Sequence, residues 1–508
     1  MIHAPSYPDP APPPDTVAGL LRRNGTEPAL LTVTGDSIDH ASLWTAAGRL
    51  ADRLRHAGLG AGDRIAIVLP NGPEIALTLL AAMSVGSAAP LNPRYRDEEF
   101  RFYLGDLQAA ALVTDGRAPA AIGAAPEETI AIDVIGDGLS LDFEVRATVA
   151  GGRRQERPTS NDEALVLHTS GTTSRPKIVP LRQRHLAASA RNIAASLQLT
   201  AADRSFTVMP LFHIHGIMAG LLAPLSAGGS VVCTPGFDAF TFHRLVDELR
   251  PTYYSAVPTM HQMVLARAPA TGSPRPTSLR FVRSSSASLP GPVLEGLRDL
   301  FGVPVIEAYG MTEASHQMTA NPLPPRSAKP GSVGIATGIE VAILDDRHRA
   351  LPAGERGEVA IRGATVVEGY ENNPAANEDA FTAGWFRTGD QGMLDEDGYL
   401  FLTGRLKEQI NRGGEKISPI EVDAVLLAHP AVAEAVTFAI PHDKLGEEVG
   451  AAVVVVEGDA VTEADLRSYL RERLAPFKVP KRIVFVREVP KGATGKLQRI
   501  GLAEKLGL

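Results

Sequence analysis

"LHTSGTTSRPKIVPL", residues 167–181, decides how the rest of the chain is read. A short apolar lead runs into a glycine framed by hydroxyl side chains, and a lysine follows. This is not a Walker loop, which carries a second glycine directly before Lys-Ser/Thr; here Gly171 is followed by Thr172, Thr173, Ser174, Arg175 and Pro176 before Lys177. The physics is nevertheless that of an anion cradle. A Gly-centred turn exposes backbone N–H groups, Thr169, Ser170, Thr172 and Thr173 add hydroxyl donors, and Lys177 supplies a point charge. A polar surface loop has the same composition, so the rest of the chain must decide. "EALVL" before the loop reads as a strand, and "LRQRHLAASARNIAASL" after it as a helix.

At 508 residues the chain exceeds what one core supports, so at least two domains are expected. Hydrophobic residues make up 44% and charged residues 21%, as in an ordinary globular enzyme. The net charge of -8 argues against nucleic acid as the main partner, because phosphate backbones demand a basic face. One cysteine, Cys233, excludes an internal disulfide and a multi-cysteine zinc site, which points to a reduced, cytoplasmic protein. Residues 1–15 read as a Pro-rich arm, with neither the basic start nor the apolar core of a signal peptide. The longest uncharged run, Gly216 to Thr234, is interrupted by Pro224 and Gly228-Gly229, so it reads as a buried helix followed by a strand and not as a membrane span.

Working outward, helices and strands alternate. "SLWTAAGRLADRLRHAG" puts Leu43, Ala47, Leu50, Leu54 and Ala57 on one helical face, and "DRIAIVLPN" follows as a strand. "PEIALTLLAAMSVG", "FDAFTFHRLVDELRPTYYSAVP" and "PGPVLEGLRDLFGVPVIEAYG" repeat the rhythm. The fold class is therefore α/β, with parallel sheets flanked by helices and function at the carboxyl ends of strands. From about residue 330 to 400, short strands and Gly-rich turns suggest a small β-barrel-like section. Beyond it an α+β pattern returns, with a hairpin around Asn411 to Lys416 and a helix opening at Thr462 with Asp465 as capping partner. The expected division is a large domain over 16–405 and a small mobile one over 406–508.

Four further fragments keep company with the loop. "EAYGMTEASH" (307–316) puts Tyr309, Thr312 and Glu313 at a strand end, where a carboxylate can hold Mg²⁺ against phosphates and a hydroxyl can donate to them. "WFRTGD" offers Asp390; "GRLKEQINRGGEKISP" offers Arg405 and a Gly413-Gly414 turn; "PKGATGKLQR" places Lys496 in a Gly-flanked loop.

In this order and spacing the fragments resemble the adenylate-forming acyl-CoA synthetase superfamily, shared with luciferases and peptide-synthetase adenylation domains, over nearly the whole chain. The resemblance implies ATP, Mg²⁺ and coenzyme A as cofactors, and a small carboxylic acid as substrate. It assigns Thr169, Ser170, Gly171, Thr172, Thr173 and Lys177 to the ATP phosphates, Glu313 to Mg²⁺, and Thr312 to a phosphate contact. Ser286, Ala287, Glu307, Ala308 and Tyr309 would form the adenine pocket, and Asp390 and Arg405 would bind the ribose. Lys407 falls at the family's hinge, and Lys496 matches the catalytic lysine that reaches the carboxylate and α-phosphate. Gly413, Gly414 and Lys416 would line the pantetheine tunnel. Ile178 departs from the glycine that many relatives carry after the loop lysine, which suggests a stiffer loop end.

His213 and His215 in "MPLFHIHG" would share one side of a strand, yet no third ligand accompanies them as a metal site. The resemblance instead puts His213 at the gate of the acyl pocket. Ile214 stands where amino-acid-activating relatives place an aspartate, which disfavours an α-amino acid. "RFVRSSSASLP" and "EAYGMTEASHQMTANPLPP" are similar to the oxalyl-CoA synthetase branch, with Ser284, Ser285, Ser286, His213 and His316 around a small dicarboxylate. An aryl or short acid passed to an amine or a carrier-protein thiol is the alternative, because one site in this superfamily serves many acids. A catalytically silent nucleotide-binding protein is a third reading, against which the intact set of charged residues argues. A monomer or homodimer is expected.

Overall fold

Strand runs such as "RIAIV" and "ALVT" are apolar on both faces, as parallel strands covered by helices on each side must be. A computed structural model of the chain describes residues 13–146, 157–169, 176–268, 277–456, 458–489 and 499–508. Among these, seven strands form one sheet, in the spatial order Asp142–Val145, Ile130–Ile135, Ala111–Thr114, Arg64–Val68, Ser87–Pro90, Glu163–Thr169, Lys177–Arg182. Nine form a second sheet, whose parallel centre runs from Val305–Met311 through Phe281–Ser285, Tyr253–Ala256, Arg204–Thr207 and Ser230–Cys233 to Pro28–Thr32.

Helices fill the layer between the sheets. Pro73–Met83 is buried at every position from Ile75 to Met83 and touches strands of both sheets, which explains why it is apolar all round. His40–His56 is amphipathic as its spacing predicts, burying Leu43, Ala47, Leu50 and Leu54; the Asp39 carboxylate accepts from Ser42 N at 2.6 Å to cap it.

Two stretches hold the expected elements with an addition in each. The strand before the loop and the helix after it, Gln183–Ser196, are found as read, but a strand that the reading did not include, Lys177–Arg182, precedes the helix and pairs antiparallel with the first: Thr169 lies opposite Lys177 and His168 opposite Ile178. Ile178, Val179 and Leu181 are buried there, and Pro180 is tolerated because Lys177–Arg182 is an edge strand. The run from Gly216 is the expected buried helix followed by a strand, Ser230–Cys233; the helix begins as a π-helix, Gly216–Leu222, and continues through Pro224 in Ala223–Ser226. The helix ends at Gly228, whose φ of +82° is the left-handed stop.

The barrel-like section is a five-stranded antiparallel sheet, ordered Glu340–Leu344, Gly357–Arg362, Trp385–Leu394, Phe381–Thr382, with Leu400–Arg405 also paired to Trp385–Leu394. The last sheet is built on the long hairpin Val432–His442 and Gly446–Val455. It has its own core, in which Ile410, Ile417, Val422, Leu426, Leu466 and Leu470 meet. Thr462 and Asp465 form the expected reciprocal cap. Gly413 and Gly414, at φ +59° and +97°, make the two-residue turn between Ile410–Arg412 and Glu415–Ile417, a conformation that side-chain-bearing residues resist. Among the described residues no helix is long and apolar enough to cross a membrane.

Candidate active site

Val305–Met311 ends in a single 3₁₀ turn, Thr312–Ala314, which Ser315 closes in the left-handed region. The turn buries Glu313, and Oε1 of its carboxylate accepts from the Tyr370 hydroxyl at 2.8 Å. The Tyr370 ring faces Lys177 Nζ, 4.2 Å from its centroid. Two backbone bonds fix this arrangement, from Val367 N to the Glu313 carbonyl at 2.9 Å and from Glu371 N to the Ile178 carbonyl at 3.1 Å. Arg64 anchors the same segment through Glu371 and pairs with Glu163 at 2.9 Å. Ile178 thus lies buried on the edge strand that begins with the loop lysine.

Burial holds the Lys177 ammonium below its ordinary pKa; the Glu313 charge opposes this and Lys407 adds to it. Burial and the Glu313 charge push the Tyr370 phenol up, so it remains a donor. With Tyr370 on one oxygen, the other oxygen of Glu313 suits a hard cation. Among the described residues no group of three His, Cys, Asp or Glu could hold a metal. That donor set fits Mg²⁺ held by one carboxylate together with substrate phosphates and water, and it does not fit an all-protein cage.

Asp390 and Arg405 face each other across the strands Trp385–Leu394 and Leu400–Arg405, with Arg405 Nε 3.1 Å from Asp390 Oδ1. The Tyr309 hydroxyl donates to the other Asp390 oxygen, and burial together with that charge raises the phenol's pKa. Ser284 and Ser285 lie in register with Glu307 and Ala308, and the Ser285 hydroxyl donates to the Ala308 carbonyl at 2.9 Å. Glu307 is buried and accepts from Leu289 N at 3.2 Å; burial pushes its carboxyl up to about 7. Ser286 follows in the left-handed region at φ +73°, with Ala287 exposed beside it. The residues expected at adenine and ribose therefore do converge.

The histidines are placed differently from the sequence expectation. His213 stands on a bend and His215 in the helical turn that opens into the π-helix, not on a strand, so the two-residue alternation of a strand does not apply to them. His213 packs on Phe212, with ring centroids 4.5 Å apart. His215 turns inward: Nδ1 is 3.1 Å from Ser286 Oγ, Nε2 is 2.7 Å from Ser255 Oγ, and its ring stacks on His316 at 4.8 Å. At the centre lies Arg283, fully buried, which sequence reasoning passed over. Nη1 donates to Ser255 Oγ at 2.8 Å, and Nη2 to Gln317 Oε1 at 2.9 Å and to His316 Nε2 at 3.2 Å. Its signal was in plain view as a charge inside the apolar strand "FVRSS".

The Gly413-Gly414 turn bonds within its own sheet, Gly413 N to the Leu445 carbonyl at 2.8 Å and Gly414 N to Asn411 Oδ1 at 3.2 Å, with Lys416 exposed on the following strand. Ser170, Gly171, Thr172, Thr173 and Lys496 lie outside the described residues.

The pattern of the AMP-binding enzyme family matches residues 20–371, and that of the AMP-binding enzyme C-terminal domain matches 421–496. The chain belongs to the AMP-binding enzyme family. Its members act through an acyl adenylate. An oxalate–CoA ligase of Arabidopsis thaliana is 46% identical over 96% of this chain and 97% of its own length. An oxalate–CoA ligase of Saccharomyces cerevisiae is 42% identical over 87% and 86%. Among AMP-binding structures, ATP-bound MatB from Rhodopseudomonas palustris superposes with a TM-score of 0.85 at 30% identity, covering 97% of this chain and 98% of MatB.

Proposed function

We propose that this chain is an AMP-forming oxalate–CoA ligase. The observation that carries the reading is the approach of Lys177 and Glu313 to the two sides of Tyr370, beside the Tyr309–Asp390–Arg405 set at the strand ends. The names of the relatives support oxalate as the acid.

The chemistry explains why these groups are needed. A carboxylate is a poor electrophile, so one of its oxygens attacks the α-phosphorus of ATP; the bond to the pyrophosphate oxygen breaks, leaving an oxalyl adenylate. The thiol of coenzyme A then attacks the activated carbonyl, AMP leaves and the thiol proton passes to solvent. In the first step charge accumulates on phosphorus. Lys177 offers preorganised positive charge and Lys496 would add a second one, the kind of contribution worth several kcal/mol where water is excluded. Glu313 would hold Mg²⁺, which supplies charge neutralisation on the phosphates. Ser170, Gly171, Thr172, Thr173 and Thr169 would cradle the phosphates, with Thr312 donating to them as well. Ser286, Ala287, Glu307 and Ala308 would bound adenine, and Asp390 would accept from the ribose hydroxyls while Arg405 orients it. His213, Ser284, Ser285 and His316 would surround the acid.

In the second step we assign the pantetheine path to Gly413, Gly414 and Lys416, with residues 406–508 turning about Lys407 between the half-reactions. Both glycines leave the turn without a side chain to obstruct the thiol. The test is pyrophosphate release from the purified protein with a panel of acids, with and without coenzyme A. Oxalate-dependent release, with oxalyl-CoA formed only when the thiol is present, is the expected result. A protein that binds ATP but releases pyrophosphate with no acid overturns the proposal.

A further inference from the structure

Arg283 is fully buried, and among the described residues no carboxylate pairs with it. Its partners are neutral: Ser255, Gln317 and two histidines whose pKa values burial holds well below the ordinary range. A buried guanidinium surrounded only by neutral dipoles is costly, and Arg is rarely buried in this way unless paired. Among the described residues the Nε–H has no acceptor. We propose that the Arg283 cluster is the receptor for a second negative charge on the acid, and so restricts the enzyme to small dianions.

Three observations converge on this. First, the cluster continues directly from the nucleotide-side residues, because His215 touches Ser286 through one ring nitrogen and reaches the Ser255–Arg283 pair through the other. Second, the donors are already ordered. Arg283 donates to Nε2 of His316 and approaches Nε2 of His215 at 3.3 Å, so both rings keep their proton on Nδ1. Gln317 is fixed in the matching sense, since its amide nitrogen donates to Ser196 Oγ at 2.8 Å and to Thr337 Oγ1 at 3.2 Å, leaving its oxygen for Arg283. Third, the charge cannot leave: burial lowers the Arg283 pKa only to about 10, so the site stays cationic at neutral pH. A second carboxylate, stripped of water on entry, meets a fixed positive charge and the Nδ1–H of His316; a methyl group meets the same charge with nothing to offer it. Arg283 acts here as a specificity-determining residue, and no bond to it forms or breaks in the reaction.

The inference rests on the reading of the chain as an acid–CoA ligase, and the experiment separates the two. Steady-state pyrophosphate release is measured for wild type, Arg283→Met and Arg283→Lys with oxalate, malonate, acetate and propionate, alongside calorimetric ATP binding and thermal unfolding. The expected result is that Arg283→Met lowers kcat/KM for oxalate by about a hundredfold relative to a monocarboxylate, with ATP affinity unchanged. Arg283→Lys, which retains the charge without the fork, should lie between and keeps the test valid if the methionine variant does not fold. Loss of oxalate and monocarboxylate turnover in equal proportion, or a wild type that uses monocarboxylates as well as oxalate, overturns the receptor while adenylation stands. Absence of pyrophosphate release with every acid overturns the functional reading itself.

Discussion

Tyr370 joins the two charges that flank it: its hydroxyl donates to Glu313 at 2.8 Å, while its ring face lies 4.2 Å from the Lys177 ammonium. One side chain therefore sets the carboxylate's orientation and gives the lysine a resting place before phosphate arrives. Tyr370→Phe keeps the ring and removes the donor. Losing one hydrogen bond to a charged group costs about 1.5–3 kcal/mol, so the KM for ATP should rise by one to two orders of magnitude with the KM for oxalate unchanged. Pyrophosphate-release kinetics with each substrate varied in turn check this, and an equal rise in both constants would place Tyr370 in the general scaffold.

Glu307 gives a pH prediction whose sign differs from that of a salt-bridged acid. Burial raises its folded-state pKa from 4.5 to about 7, so the native state binds the proton more tightly than the unfolded chain does. Stability from this group is fully present below about pH 4.5 and is lost as pH rises through about 7. Glu307→Gln retains an oxygen for Leu289 N and cannot ionise. The variant should match wild type near pH 5 and exceed it at pH 8 by roughly 3 kcal/mol at most, read as a Tm difference that opens with pH.

The half-reactions should separate by residue. Lys496→Ala should abolish pyrophosphate release yet leave conversion of a supplied oxalyl adenylate to the thioester largely intact. Gly414→Leu should do the reverse. At φ +97° a Cβ at position 414 is strained but meets no described atom within 4 Å, so the branch point of the new side chain has space and the bulk beyond it would stand on the proposed thiol path. Gly414→Ala carries the same backbone penalty without the bulk and separates the two causes. Thioester formation that survives Gly414→Leu would remove the hairpin from the pantetheine path.

What the sequence made legible follows from the length scale of each signal. Helix His40–His56, the Thr462–Asp465 cap and the Gly413-Gly414 turn depend on residues close in sequence, and all three are found as read. The convergence of Tyr309, Asp390 and Arg405 came from a motif order, which encodes tertiary contacts that no local rule reaches. Tyr370 and Arg283 were missed for a related reason. Each sits in a segment read for something else, Tyr370 within the stretch of short strands and Gly-rich turns and Arg283 beside a serine run, and their meaning appears only when Glu313 and His316 arrive from elsewhere in the chain. The edge strand after Lys177 was hidden by Pro180, which argues against a central strand and in favour of an edge.

Arg499 shows how the small sheet is tied to the candidate hinge, and its removal makes the sharpest stability prediction. Its Nη2 lies 2.6 Å from Asp423 Oδ2, its Nε 3.2 Å from Glu408 Oε2, and its Nη1 donates to the Thr437 carbonyl at 2.9 Å. Asp423 is buried, and burial raises its pKa despite the guanidinium. Arg499→Met therefore strands a buried carboxylate, a change worth about 3–5 kcal/mol. Because the folded-state pKa of Asp423 stands above the unfolded value, the deficit should shrink as pH falls toward it. Asp423→Asn in the Arg499→Met background removes the stranded charge and should recover more than half of the loss, which a double-mutant cycle of unfolding free energies measures directly. Glu408→Gln leaves the buried pair intact and should scarcely move the Tm. Since Glu408 adjoins Lys407 and Arg499 follows the segment that holds Lys496, that variant should instead change the ratio of adenylation to thioester formation. An unchanged ratio would mean that the Arg499–Glu408 pair plays no part in the turn between the two half-reactions.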